Sequence, residues 1–269
     1  TSSPLYDGNT LSGGAGSTSS GGTAAGLEIN GSGTVAYVVN NVISGCGRYG
    51  GAAPYTCYGV KLISGIGNTR VWNNTINGGS ASGSPSPSSI GILDNSSSGP
   101  NGTGLGADLF DNIIFTSGAG SLCVFVANTN NIPVPSGSGD GIQYNDLFNC
   151  GGTYVFDPLL GSLGLGSSVT FSGFSTTLGG GLNYYDQAPS LIFMSLGADP
   201  GQIDAADVNL RLRTTAPTRI RGGGAPGITC EGHVGFDRDG NPRWTEAASG
   251  NGFSRGAYRS PTQDTAGGC

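Results

Sequence analysis

Trp72-Asn73-Asn74-Thr75-Ile76-Asn77-Gly78 is one of four copies of a single phrase. The others are Val39-Asn40-Asn41-Val42-Ile43-Ser44-Gly45, Phe110-Asp111-Asn112-Ile113-Ile114-Phe115 and Tyr144-Asn145-Asp146-Leu147-Phe148-Asn149. Asn41, Asn74, Asn112 and Asn145 are separated by 33, 38 and 33 residues, a period that marks stacked supersecondary units rather than one globular core. A second phrase is interleaved with the first: Gly26-Leu27-Glu28-Ile29-Asn30, Gly59-Val60-Lys61-Leu62-Ile63, Gly91-Ile92-Leu93-Asp94-Asn95 and Leu122-Cys123-Val124-Phe125-Val126. Each unit between Gly26 and Gly152 therefore holds at least two short strands rich in β-branched or large apolar residues.

Gly, Ser, Asn and Pro fill the intervals, and no apolar stripe of helical period occurs in this region, which excludes a helical solenoid. Short strands repeated in this way satisfy their backbone groups by pairing with the same strand one unit on, about 4.8 Å away. The expected fold is all-β, a parallel β-helix. Asn at a fixed place in each unit fits a bend where stacked amides bond one another along the axis, although Asn is also a common turn residue.

Only 10% of the 269 residues are charged, and 52 are Gly. A narrow solenoid core tolerates this, whereas a disordered chain would not carry aliphatic clusters at regular intervals. The net charge is −6, and no basic stripe exists, which argues against nucleic acid or an anionic membrane as partner. No apolar run reaches the length of a membrane span. Cys46, Cys57, Cys123, Cys150, Cys230 and Cys269 form no CxxC pair, and His233 is the one histidine, so disulfides are expected rather than a zinc site. Sequence order favours Cys46 with Cys57, Cys123 with Cys150 and Cys230 with Cys269, other connectivities remaining open. Disulfides imply an oxidising, extracellular location, and a chain that starts at Thr1 without Met or leader fits a processed secreted protein. Asn30, Asn73, Asn95 and Asn101 stand in Asn-X-Ser/Thr triplets and are candidate glycosylation sites, in a composition that makes such triplets common by chance.

Residues 1–25 read as a Gly/Ser-rich N-terminal tail or cap, with Leu5 and Tyr6 as candidate anchors, either on the chain's own first coil or on a neighbouring subunit. Residues 26–206 are the coils. Insertions at 48–56, 80–89, 95–106 and 128–139 are expected on one face. Past residue 153 the phrase fades, although Val155-Phe156-Asp157-Pro158-Leu159-Leu160 and Val169-Thr170-Phe171 still read as strands. Tyr184, Tyr185, Leu191, Ile192, Phe193 and Met194 form an apolar cluster suited to capping, with one short helix there or at 200–206.

Residues 207–269 carry a resemblance. Asp207-Val208-Asn209-Leu210-Arg211-Leu212, Ala216-Pro217-Thr218-Arg219-Ile220-Arg221-Gly222, Asp237-Arg238-Asp239-Gly240-Asn241-Pro242-Arg243 and Arg255-Gly256-Ala257-Tyr258 follow one another in this order. Together they resemble the closing segment of bacterial secreted right-handed parallel β-helix repeat proteins. The resemblance implies a right-handed helix with capping segments and makes carbohydrate chemistry the first enzymatic reading. Arg221, Ser254 and Arg259 stand where that family has acidic residues, and Asp237 and Asp239 alone supply too few oxygens for calcium. The loop is therefore expected to be a tight turn whose carboxylates accept backbone N–H groups or pair with Arg243.

A polysaccharide lyase needs a cation beside a base, and a glycosidase needs two carboxylates at a set separation. The candidates Lys61, Arg70, Asp94, Asp111, Asp140 and Asp146 are sparse. Asp111 and Asp146 occupy Asn-like places in the repeat, and His233 has no evident partner, so no residue is assigned a catalytic role and neither metal nor cofactor is expected. A basic cleft for acidic polysaccharide is also missing, since most of the Lys and Arg lie after residue 210. The expected function is an extracellular structural or adhesive surface protein, a filament or appendage subunit that self-associates or contacts cell-surface glycan. A polysaccharide lyase or glycosidase is the alternative, as is a passive glycan-binding module using Tyr49, Tyr55 and Tyr58.

Overall fold

The computed structural model describes residues 3–13, 23–31, 36–46, 56–63, 69–79, 89–95, 107–116, 121–127, 142–150, 153–157, 161–163, 184–185, 189–196, 208–221, 236–242 and 255–259. The chain visits three sheets in turn. Sheet A holds β1 (Leu5–Asp7), β4 (Tyr37–Val39), β7 (Arg70–Trp72), β10 (Asp108–Phe110) and β13 (Ile142–Gln143). Sheet B holds β2 (Thr10–Ser12), β5 (Val42–Ser44), β8 (Thr75–Asn77), β11 (Ile113–Phe115), β14 (Asp146–Phe148) and β17 (Tyr184–Tyr185). Sheet C holds β3 (Thr23–Asn30), β6 (Thr56–Ile63), β9 (Ser89–Asn95), β12 (Leu122–Val126) and β15 (Thr153–Asp157), closed by β16 (Gly161–Leu163). Up to β15 every pairing is parallel, with each strand bonded to the one three places on in the chain; β16 turns back antiparallel on β15.

Five circuits of three strands thus stack in register, against four legible in the repeat. The additional circuit is the first. Residues 5–12 are not a lead but β1 and β2, paired with β4 and β5, and Tyr6-Asp7-Gly8-Asn9-Thr10-Leu11-Ser12 is a fifth, divergent copy of the phrase.

Period-2 alternation sends one column from each sheet inward: Tyr6, Val38, Val71 and Leu109 from sheet A; Leu11, Ile43, Ile76, Ile114 and Leu147 from sheet B; Leu27, Val60, Ile92 and Val124 from sheet C. Most are fully buried, and each such aliphatic side chain contributes about 1.5–3 kcal/mol. The columns leave little room between sheets B and C. A Cβ on Gly59 would lie 2.5 Å from the Cγ2 of Ile76 and 2.6 Å from the Gly91 carbonyl oxygen.

The turn from sheet A to sheet B is two residues long in every circuit. Its first residue is left-handed, with φ of 68° at Gly8, 56° at Asn40, 53° at Asn73, 54° at Asp111 and 56° at Tyr144. Its second is Asn9, Asn41, Asn74, Asn112 or Asn145, and these amides form a ladder. Asn74 Oδ1 accepts from Asn41 N at 2.9 Å and Asn41 Nδ2 at 3.0 Å; Asn112 Oδ1 accepts likewise from Asn74, and Asn145 Oδ1 from Asn112. Asn9 donates to Asn41 in the same way and adds the end rung.

This corner is fixed at two residues and carries none of the insertions. Those at 48–56 and 80–89 join sheet B to sheet C, and those at 95–106 and 128–139 join sheet C to sheet A. Cys46 is bonded to Cys57 and Cys123 to Cys150, both across the corner from sheet B to sheet C. Cys230, Cys269, Asp140, His233, Arg243, Asn101, Tyr49, Tyr55 and the strand expected at 169–171 lie outside the described residues. No helix among the described residues is long and apolar enough to cross a membrane. The helices among the described residues are single turns, Pro189–Ile192 and Thr218–Arg221.

Candidate functional site

The outer face of sheet B carries Val42, Ile113, Phe115 and Phe148 among polar positions such as Thr75 and Asn77, and these four point away from the interior columns. Those four side chains require a cover. The C-terminal residues supply it. Among the described residues they lie along the side of the stack. Ile192, Phe193, Leu210, Leu212, Ile220, Ala257 and Tyr258 pack on that face. Phe115 and Phe148 stack with centroids 5.0 Å apart, and Phe193 rests on both at 5.6 and 6.2 Å. β18 (Phe193–Leu196) and β19 (Val208–Leu212) form a two-stranded antiparallel ribbon above them.

Polar contacts seat this strap circuit by circuit. Arg238 reaches the Thr10 hydroxyl and that of Tyr258, Ala257 N donates to Thr75 Oγ1 at 3.0 Å, Gly256 N to the Asp111 carbonyl at 2.7 Å, and Arg255 Nη1 to the Asn145 carbonyl at 2.7 Å. Gly256 has φ +80°, and a Cβ there would come within 2.7 Å of Ile113 Cδ1.

Between the ribbon and the turn at Asp237–Asn241 lies an open cleft of about 350 Å³. Its apolar lining is Met194, Leu212 and Tyr258, and its polar lining includes Asn209, Arg211, Thr214, Asp239 and Asn241. The turn is organised by the buried Asp237 carboxylate. Oδ1 accepts from Asp239 N at 3.0 Å and Asn241 N at 2.7 Å, and Oδ2 accepts from Arg259 N at 3.1 Å. This is the backbone-accepting turn expected of the Asp-X-Asp-Gly-Asn-Pro sequence, and it leaves Asp237 saturated rather than available to a ligand. Arg211 donates through Nε and Nη2 to Asp239 Oδ2, at 3.0 and 2.7 Å, and lies 5.1 Å from the Tyr258 ring centroid. The Asp239 hydrogen bond holds the guanidinium pKa above its ordinary value.

The candidate catalytic residues lie apart. Lys61, on the outer face of sheet C, pairs with Glu28 at 3.1 Å and sits 5.4 Å from the Tyr58 ring, whose phenol burial pushes upward against a smaller pull from Lys61. Arg70, on sheet A, lies over the rings of Tyr37 and Trp72 at 5.3 and 4.9 Å. Asp111 is the left-handed turn residue of the fourth circuit, and Asp146 is buried on sheet B beneath the strap. Asp94 lies in the column of Ile29 and Leu62, where Oδ2 accepts Ala107 N at 3.0 Å. Residues on three different sheets do not converge on one reacting bond. Among the described residues no group of three His, Cys, Asp or Glu is placed to hold a metal ion.

Of the candidate glycosylation sites, Asn30 and Asn95 are exposed at the ends of β3 and β9. Asn73 is 1% exposed, so a glycosyltransferase cannot reach it in the folded chain. Leu5 is 43% exposed, and Tyr6 is the partly buried first residue of its interior column. Met194 and Arg211 carried no functional signal in the sequence beyond an apolar cluster and the resemblance. Only the fold of the strap brings them to one cleft.

No protein-family model, no curated protein and no solved structure matches this chain.

Proposed function

We propose that the three sheets are the walls of a right-handed parallel β-helix, and that the chain is an extracellular structural or adhesive surface protein that pairs with a second copy of itself at the N-terminal end of that helix. The fixed three-strand register supports the helix, and the hand follows the preference of parallel crossovers. Two disulfides support an oxidising location.

The observation that carries the reading is the difference between the two ends. At the N-terminal end β1, β2 and β3 are each the outermost strand of a parallel sheet, with no further strand beyond them among the described residues. The interior columns also reach the surface there: Tyr6 and Leu11 are only partly buried, whereas Val38 and Ile43 behind them are fully buried. Outermost strands around an apolar centre are a template for another chain. At the far end β13 and β17 are likewise outermost, but sheet C ends in the antiparallel β16 and the interior column is covered there, with Leu147 fully buried. Two copies meeting through their N-terminal ends close as a symmetric dimer, whereas a filament needs both ends.

The test is sedimentation of the intact chain beside Leu11→Lys, because an inward charge on an edge strand is a known block to edge pairing. Deleting residues 1–25 would be a poorer test, since it presents the equivalent edge of the second circuit. The expected result is a wild-type dimer and a monomeric variant with the same circular dichroism. A wild-type chain that stays monomeric at high concentration overturns the proposal.

A further inference from the structure

We infer that the cleft between the β18–β19 ribbon and the Asp237–Asn241 turn is a binding site for a neutral saccharide. Its volume of about 350 Å³ lies at the small end of ligand sites, enough for one or two sugar rings. Its walls match the two characters of a pyranose. Met194, 52% exposed, offers apolar surface for the C–H face, while Asn209, Thr214, Arg211 and Asp239 offer hydrogen-bonding groups at the edge.

The sign of the site selects a neutral ligand. Arg211 neutralises Asp239, and the other two charged lining residues, Asp237 and Arg259, are one of each sign, so the net charge of the cleft favours neither an anion nor a cation. Both groups remain accessible, with side chains 54% and 34% exposed. Arg211 spends two of its donors on Asp239, leaving others to give, beside a carboxylate with acceptor capacity left. A donor fixed next to an acceptor suits vicinal hydroxyls, each of which both donates and accepts. The pair is also held in place before any ligand arrives, Arg211 by the Tyr258 ring and Asp239 by its own N–H on the Asp237 carboxylate.

The inference does not rest on self-association, because the cleft lies at the side of sheet B and not at the N-terminal end. A chain that proves monomeric leaves it standing. The experiment is calorimetric titration of the intact chain with short neutral oligosaccharides of glucose, mannose, galactose and N-acetylglucosamine, and with an oligouronate of equal length. Binding of at least one neutral oligosaccharide is expected, weakened at least about tenfold by Asp239→Ala, as for loss of a charged hydrogen-bonding group. Met194→Ser, at an exposed position that leaves the fold intact, should weaken it too, and Lys61→Ala should not. Failure of every neutral oligosaccharide, tighter binding of the oligouronate, or unchanged binding by Met194→Ser and Asp239→Ala would each overturn the inference.

Discussion

Asn74 shows why one residue type is repeated at one place. Its Oδ1 accepts two bonds from Asn41, and the two hydrogens of its Nδ2 are shared among Asn112 Oδ1, Val38 O and Trp72 O, so a single buried amide joins three circuits. No other small side chain both accepts and donates twice at one terminus. Asn74→Ala strands the Asn41 amide N–H and takes a donor from the Val38 and Trp72 carbonyls, the second of which keeps Asn40 N, and a loss of about 2–4 kcal/mol is expected in denaturant unfolding. Asn9→Ala, at the partly buried end rung, should cost less than about 1 kcal/mol. Equal losses at the two positions would mean that Asn is there for turn preference alone. The ladder was legible because an amide must recur in register to bond its neighbour, so the constraint is written into the spacing. Asn9 was hidden because its turn partner is Gly8, which reaches the left-handed region without resembling Asn40 or Asn73.

At the scale of strands, the glycines that open the second phrase belong to the packing of sheet C against sheet B. Gly26, Gly59 and Gly91 face the Cγ2 methyls of Ile43, Ile76 and Ile114, at 2.6, 2.5 and 2.4 Å from where a Cβ would stand. The next residue in that column is Cys123, and the residue after Ile114 in the facing column is Leu147, which carries no branch at Cβ. A side chain fits where the methyl is missing, and there it forms the disulfide to Cys150. Gly59→Ala should therefore destabilise by about 3 kcal/mol through overpacking. Gly31→Ala, with nothing within 4 Å, should change stability by less than about 0.5 kcal/mol. A Gly59→Ala chain as stable as Gly31→Ala would show that the two sheets separate freely. The strands themselves were readable because alternation is local, but the direction of each insertion was not. That depends on which corner is fixed at two residues, a property of the stack and not of any one loop.

Across the whole molecule, the strap changes what kind of object the stack is. Repeats that touch only their neighbours lose cooperativity as they lengthen. Here the C-terminal residues bind Thr10 in the first circuit, Thr75 in the third, Asp111 in the fourth and Asn145 in the fifth, so they couple circuits that never touch one another. The resemblance could not place this segment, because its own residues do not reveal Val42, Ile113, Phe115 and Phe148 on the outer face of sheet B, which receive them. Gly256 is the position on which the docking turns, combining φ +80° with a backbone too close to Ile113 and Thr75 for any side chain. Gly256→Ala is expected to lift the strap, so that the amides of Gly256 and Ala257 exchange hydrogen quickly while those of Asn41, Asn74 and Asn112 stay protected. The single sharp thermal transition expected of the wild type should broaden, and the freed Phe115 and Phe148 should bind a hydrophobic dye. If the variant melts as sharply as the wild type with the strap amides still protected, the circuits cohere through their own ladder and core, and the strap is only a cover.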